Sequence, residues 1–536
     1  MRFTSLLWPA LLLVSGLAAS PANAAPACPS GMTASGYRQE GYCTAQIALR
    51  STISRSLGLL ETRMAAGDGA FAAQLRTAQD LRDRRDRLAT TEREALADNS
   101  PDGRVRYARI SAEAAQVDGS LATIEAAIRR DHPRWLDLAR PTPLTEAETI
   151  RLLRPGEAMV FWYPTEDATF VWAIDAQGAR WARIPIGVTA LAARVAAFRA
   201  GLGVDGAARS ARADRPTARP LFDRADASAL YALLFPGEVD QIARRARAVI
   251  LVPSGSLTSL PFAALPMGVA ATSPWLGLTK PLSLLPSPAG LRTLRGHPAA
   301  RSAAIAFAGF GAPALGAATN ATRGLDGVWR GGMVDGTALA SLPSLPQAAD
   351  ELYDLARELG APAKSVTIGT RATETAVKRA DLSHVRVLAF ATHGLVAGDI
   401  GGLAEPALVF TPPAKPDDSD DGLLTASEAA RLRLSADWVI LSACSTATGN
   451  RVGAEALSGL ASAFTYAGAR ALLVSQWQVG DDAARRLTTL AVRERTLGRA
   501  EALRRAMVAV ARDPAHPEWA DPSAWAVFEL VGEGGR

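Results

Sequence analysis

The sequence predicts an α/β protein in which a mainly parallel sheet is sandwiched by helices and preceded by an N-terminal helical region. From about residue 221 onward, short and almost wholly apolar runs alternate with amphipathic helical segments. Strands of that kind are typical of parallel sheets covered on both faces. Before residue 145 the apolar residues recur with the helical period instead. Apolar residues make up 48% of the 536 residues, which is enough for a sizeable core.

The first residues have the pattern of a Sec-type signal peptide. Met1 and Arg2 are followed by an apolar stretch from Leu6 to Ala19, and then by the small-residue site Ala22-Asn23-Ala24. We therefore expect residues 1–24 to be removed and the protein to be periplasmic or secreted. The apolar stretch is short for a membrane span of about 20 residues. An uncleaved anchor remains the alternative, and after cleavage no stable membrane insertion is expected.

The chain divides into three further predicted parts. Residues 25–145 read as a helical hairpin or spacer, broken at Asn99–Gly103. Residues 146–220 read as a small α+β segment that joins the main domain, residues 221–536. The strand-like runs of the α+β segment are residues 158–163, 169–174 and 180–184. The predicted strands of the main domain are residues 248–252, 303–308, 385–391, 438–441 and 469–474.

Charge and cysteine content exclude several classes of protein. The 58 Lys and Arg are interspersed with 53 Asp and Glu, without a basic block, so we expect no nucleic-acid partner. Three cysteines cannot form a disulfide scaffold. No zinc-ligand motif is present, and we expect neither a metal nor a cofactor. In an exported chain, Cys28 and Cys43 are a candidate disulfide. Cys444 is left over, either as an inert buried residue or as a reactive thiol.

Two of the predicted strands end in residues that can do chemistry. The run 385–391 leads to His393, and the run 438–441 leads to Cys444. Ligands bind beyond the carboxyl ends of strands in open α/β sheets, so parallel neighbours would bring both side chains to one crevice. An imidazole can activate a thiol for acyl transfer and then protonate the leaving amine. The backbone N–H groups of Gly394 and Cys444 would hold the oxyanion.

Each of these residues also has a plain structural interpretation. A cysteine at a strand end is, taken alone, more often a small buried apolar residue than a nucleophile. The remaining histidines are expected to be structural or on the surface; they are His132, His297, His384 and His516. The conjunction of histidine and cysteine at the same position of two strands is what favours catalysis.

Eight short stretches, in order, carry a family resemblance. They are Leu251–Leu257, Leu260–Leu265, Ala391–Gly394, Gly422–Glu428, Leu441–Cys444, Gly459–Ala469, Ser475–Val479 and Trp525–Phe528. Over residues 221–533 the sequence thereby resembles the CHAT domain, a caspase/separase-like cysteine peptidase family. The resemblance implies a caspase-like fold and a catalytic dyad of His393 and Cys444. Their separation of 51 residues is in keeping with a caspase-type spacing.

The resemblance also implies an activity and its partners. It points to an endopeptidase that cleaves protein substrates and could be gated either by cleavage or by a regulatory protein that binds the N-terminal helices. The alternative is a non-catalytic caspase-like scaffold for protein interaction. Aspartate specificity is not carried over, because Ser442–Thr446 replaces the caspase signature around the cysteine. An acidic residue could receive a basic substrate side chain, and the candidates are Asp481, Asp421 and Glu405. For residues 412–421, which include Asp421, a solvated loop is the simpler interpretation, and Asp481 could orient the backbone instead of the substrate.

Overall fold

The computed structural model describes most of the chain. The described residues are 36–49, 70–97, 100–132, 142–204, 222–270, 272–296, 304–315, 329–330, 333–334, 339, 342–345, 347–395, 403, 405–417, 419–442, 454–477 and 481–535. The predicted signal peptide and Cys28 lie outside these residues, as does Cys444.

The N-terminal region is helical, as predicted. Residues 36–49 form α1, and a helical hairpin follows, composed of α2 (Ala70–Ala97) and α3 (Pro101–Asp131). The break falls where the sequence predicts it: Ser100 caps α3, and its hydroxyl accepts a hydrogen bond of 3.0 Å from the N–H of Gly103. Leu75 and Ile128 are fully buried in the core on one face of the central sheet. The hairpin is therefore packed onto the sheet.

A single sheet of eleven strands forms the centre of the molecule. In chain order its strands are β1 (Glu157–Pro164), β2 (Thr169–Asp175), β3 (Gly178–Ile184), β4 (Ala248–Val252), β5 (Leu282–Leu284), β6 (Ile305–Pro313), β9 (Val366–Gly369), β10 (Val385–Ala391), β14 (Trp438–Ser442), β15 (Ala471–Ser475) and β16 (Phe528–Gly532). Their order across the sheet is β3-β2-β1-β4-β5-β16-β15-β14-β10-β6-β9. The short strands β7 (Trp329–Arg330) and β8 (Met333–Val334) form a separate ribbon.

The sheet consists of two parallel halves that run in opposite directions. The first half contains β1, β4, β5 and β16, which are mutually parallel, and β2 and β3 extend it as antiparallel strands. The second half contains β15, β14, β10, β6 and β9, again parallel. The antiparallel pair β15–β16 joins the halves. The prediction of a mainly parallel sheet is confirmed. The carboxyl ends of the two halves lie at opposite edges.

Helices cover both faces of the sheet. They are α4 (Glu146–Leu152), α5 (Val188–Leu202), α6 (Arg224–Leu234), α7 (Glu238–Arg245), α8 (Leu276–Thr279), α9 (Gly290–Gly296), α10 (Ala348–Glu358), α11 (Glu374–Arg379), α12 (Ala426–Ala429), α13 (Ala454–Ala467), α14 (Asp481–Arg493), α15 (Arg499–Ala511) and α16 (Pro522–Trp525). Side chains of β10 alternate between two cores, Val387 and Ala389 in one and Leu388 and Phe390 in the other. That alternation explains why residues 387–391 of this strand are all apolar.

Short 3₁₀ helices complete the described structure. They are Gly255–Ser259, Phe262–Ala264, Ala363–Ser365, Arg495–Leu497 and Pro517–Ala520. Among the described helices, none combines the length and the apolar character that crossing a membrane requires.

Candidate active site

The two strands that carry the predicted dyad are parallel neighbours. β10 pairs with β14 from Val387 opposite Trp438 to Ala391 opposite Ser442. His393 comes two residues after the last pair on one strand, and Cys444 two residues after it on the other. The condition under which the two residues would share a crevice, that their strands are parallel neighbours, is therefore met. The assignment of Cys444 stays a prediction, because that residue lies outside the described residues.

The ring of His393 is buried and held at one nitrogen. Only 3% of its surface is exposed, and Nε2 lies 2.7 Å from the carbonyl oxygen of Pro343. A carbonyl can only accept a hydrogen bond, so Nε2 carries the proton. In the neutral ring, Nδ1 then has the free electron pair. Burial lowers the pKa of His393, and the hydrogen bond to Pro343 partly opposes this effect.

A small sheet fixes the backbone beyond His393. It consists of β11 (Gly394–Leu395), β12 (Ala407–Val409) and β13 (Leu423–Thr425), all antiparallel. The N–H of Val409 donates to the carbonyl of His393 at 2.9 Å, and the hydroxyl of Thr392 donates to the carbonyl of Val409. Because hydrogen-bonded and non-hydrogen-bonded pairs alternate, the next pair, Gly394 opposite Leu408, is of the second kind. The N–H of Gly394 therefore points away from β12.

A buried glutamate contacts the end of β14. The hydroxyl of Ser442 donates to Oε1 of Glu351 at 2.7 Å, and Thr488 of α14 donates to the same oxygen at 3.0 Å. Neither Glu351 nor the carbonyl of Pro343 is indicated by the sequence motifs. A backbone carbonyl has no signature in a sequence. The only signal for Glu351 is an acidic residue beside the apolar stripe Leu352 and Leu355 of α10.

Two of the three acidic pocket candidates bind the protein's own backbone. Glu405 is 4% exposed, and its carboxylate accepts hydrogen bonds from the N–H (2.9 Å) and the hydroxyl (2.8 Å) of Ser427 in α12. Asp421 accepts a hydrogen bond of 3.0 Å from the N–H of Leu423. Asp481 is the first residue of α14, and its side chain lies outside the described part of the structure.

Cys43 of α1 is buried and disulfide-bonded. Its partner lies outside the described residues, so the pairing with Cys28 stays a prediction. Within the described ranges, no group of three or more His, Cys, Asp and Glu side chains could hold a metal ion.

Comparison with known families assigns the second and larger part of the chain. Residues 224–533, more than half of the sequence, match the CHAT domain. The chain belongs to the CHAT domain family, as the sequence motifs indicate.

The solved structures that are similar to this chain include two crystal structures of the Saccharomyces cerevisiae separase–securin complex. Their sequence identities to this chain are 9% and 10%, and their TM-scores are 0.40 and 0.41. Each alignment covers 94% of this chain and 41% of the other, so the chain spans about two fifths of the length of those proteins. No curated protein matches the sequence.

Proposed function

We propose that this protein is an exported cysteine endopeptidase that cleaves protein substrates through a dyad of His393 and Cys444. The observation that supports it is the register of β10 and β14. Because Ala391 and Ser442 are paired, His393 and Cys444 follow the ladder at the same distance on adjoining strands. Membership of the CHAT domain family supports a caspase-like peptidase domain.

The proposed reaction uses Nδ1 of His393, the ring nitrogen that the carbonyl of Pro343 does not bind. Nδ1 of His393 takes the thiol proton of Cys444, and the thiolate attacks the peptide carbonyl carbon. The resulting oxyanion is held by the N–H groups of Gly394 and Cys444. His393 then gives its proton to the leaving amine, and the C–N bond breaks. Water hydrolyses the thioester with the same histidine as base, which restores the thiol.

Pro343 sets the tautomer that this reaction needs. With Nε2–H donated to the carbonyl of Pro343, the neutral ring presents Nδ1 as the base. Burial lowers the pKa of His393 and so favours the neutral ring at physiological pH. The base is therefore available in the resting enzyme.

Export and substrate preference form part of the proposal. The N-terminal pattern supports a Sec-type signal, and the disulfide at Cys43 fits an oxidising compartment. For a basic substrate residue we retain Asp481 as the candidate acid. The carboxylates of Glu405 and Asp421 already bind backbone groups.

The deciding experiment compares new protein termini generated by wild type and by Cys444→Ala in the cell of origin. We expect the termini that depend on the wild-type enzyme to disappear in the variant, with His393→Ala giving the same loss. Cleavage that survives in Cys444→Ala would exclude the dyad as the catalyst.

The burial of His393 favours one alternative, a non-catalytic scaffold whose caspase-like domain and N-terminal helices bind a partner. A ring that is only 3% exposed reaches a substrate only if neighbouring groups move. The scaffold predicts that an acyl-type thiol-reactive probe leaves Cys444 unlabelled. It also predicts that wild type and Cys444→Ala recover the same partner in equal amounts.

A further inference from the structure

One helix lies beside both strand ends of the candidate site. α10 begins at Ala348, and Leu352 and Leu355 bury its apolar face in the core with no exposed surface. The segment that leads into the helix contains Pro343, whose carbonyl accepts the hydrogen bond from His393. The first turn contains Glu351, which is 7% exposed. Glu351 therefore follows Pro343, the contact of His393, by eight positions in the chain.

Glu351 joins that segment to the other strand. Its Oε1 accepts hydrogen bonds from the hydroxyls of Ser442, at 2.7 Å, and Thr488, at 3.0 Å. Ser442 is the last residue of β14, opposite Ala391 in the ladder. Residues 343–351 thus contact the chain beyond β10 at one point and the end of β14 at another.

We propose that Glu351 is a positioning residue that sets the end of β14, through Ser442, relative to the imidazole that Pro343 holds. This inference rests on the proposed function, since a fixed distance matters only if His393 and the residue two beyond Ser442 react together. The contacts described for Glu351 are with the hydroxyls of Ser442 and Thr488. Its role is to hold the two strand ends in one geometry.

Two physical effects make the contact important. Removing the carboxyl takes the acceptor away from the half-buried hydroxyl of Ser442, which costs about 1–3 kcal/mol unless that group moves to a new partner. The hydroxyl of Thr488 keeps the carbonyls of Ala484 and Arg485 as acceptors. A movement of about 1 Å between reacting groups can cost about 100-fold in rate. The strand end would relax, and the transfer of the proton from thiol to imidazole would slow.

The kinetic test uses three variants of α10. Glu351→Ala should lower kcat by about 10- to 100-fold with KM within about twofold of wild type, because binding is unaffected while the reacting geometry is lost. Glu351→Gln keeps an oxygen acceptor and should recover activity to within about threefold of wild type. Asp354→Asn is the matched control. It lies one turn further along the helix, where its carboxylate pairs with Arg485 of α14, and it should leave kcat within about twofold.

A double variant tests whether Glu351 acts through Ser442. Ser442→Ala should lower kcat as much as Glu351→Ala does, and the combination should be no slower than either single variant. Additive losses, or a Glu351→Ala variant that only melts earlier while kcat is unchanged, would reduce Glu351 to a stability contact and overturn the proposal.

A measurement on the thiol separates this inference from the proposed function. The rate of iodoacetamide alkylation at neutral pH, followed at Cys444 by peptide mass spectrometry, needs no peptidase activity. His393→Ala should slow this alkylation because the base that takes the thiol proton is lost, and Glu351→Ala and Ser442→Ala should slow it in the same direction. If His393→Ala leaves the alkylation rate unchanged, the proposed dyad fails. If His393→Ala lowers the rate and the Glu351 and Ser442 variants do not, only the positioning role fails.

Discussion

The two halves of the sheet end their strands in different ways. In the first half, β4 leads to Ser254, which is 4% exposed and donates its hydroxyl to the carbonyl of Trp162 at 2.8 Å. In the second half, β10 leads to His393. The described residues bind one of its two ring nitrogens, Nε2. Both sequences show an apolar strand followed by a polar residue. The sequence therefore locates a polar residue at the end of a strand. Whether that side chain can do chemistry depends on which of its polar atoms are already hydrogen-bonded.

The largest expected effect is on the rate of cleavage, where two histidines of the second part of the chain should differ. His393→Ala should lower cleavage of a peptide substrate by about 10²- to 10⁴-fold, because the general acid and base is lost. His516→Ala is the control. That side chain is 42% exposed, and the ionisable group that pairs with it in the described structure is Glu518. This variant should leave the rate within about twofold. Equal losses in both variants would mean that His393 acts through folding and not through chemistry.

In the first half, the largest effect should fall on stability. Trp162 is fully buried, packs against Phe235 and Phe262, and donates its indole N–H to the carbonyl of Leu234 at 2.9 Å. Trp162→Ala should lower the free energy of unfolding by about 3–5 kcal/mol. The rate per folded molecule should be unchanged.

Denaturant titration measures this loss, with Trp181→Ala as the matched control in the same half. Trp181 is 43% exposed, so its removal should cost about 1 kcal/mol or less. A loss of catalytic rate per folded molecule in Trp162→Ala would show that the first half also shapes the site.

The join between the halves should respond to pH. Glu529 of β16 is buried beside β15, and its Oε1 has no hydrogen-bond partner among the described residues. Burial raises its pKa from 4.5 to about 8, while Gln476 and Arg199 act in the opposite direction. Between those values the unfolded chain releases a proton that the folded chain keeps. Wild-type stability should therefore fall as pH rises from 5 to 8.

Glu529→Gln removes this dependence and keeps the shape of the side chain. At 1.36 kcal/mol for each pKa unit, the difference between variant and wild type should grow by on the order of 3 kcal/mol over that range. Melting in parallel at pH 5 and pH 8 measures it. A constant difference between the two proteins would mean that Glu529 is ionised in the folded state.

Much of this fold could be predicted because each buried strand is short and apolar. β4 and β10 were predicted to the residue, since nearly every position of both strands is apolar and buried, Arg386 of β10 being the exception. β5, with three residues, is too short for any pattern to reveal. The antiparallel pairing of β15 with β16 could not be predicted either, because α14, α15 and α16 separate these strands in sequence. Long-range pairing is decided by packing that the local sequence does not contain.

The site divides in the same manner. His393 was predicted from its position after a strand and from the family motif around it. Pro343 contributes only a carbonyl, and Glu351 reads in sequence as an ordinary polar residue of an amphipathic helix. Their roles depend on where α10 lies relative to the two strand ends. The apolar periodicity of the sequence does not predict that placement. Glu405 was proposed as a pocket acid from its place near the crevice and from the family resemblance, and its hydrogen bond to Ser427, which is 22 residues away, has no signal in the sequence.

The smallest expected effect is that of Ser254→Ala, and it is compared with Ser442→Ala, the other serine at a strand end. Ser254→Ala removes a donor from the carbonyl of Trp162, so we expect a loss of about 1 kcal/mol in unfolding free energy and an unchanged cleavage rate. Ser442→Ala should instead lower the rate, because its hydroxyl binds the glutamate that we assign to positioning. Urea midpoints and initial rates on the two variants measure both quantities. A rate loss in Ser254→Ala as large as that in Ser442→Ala would remove the distinction between the halves, since the two edges would then depend on their serines in the same way.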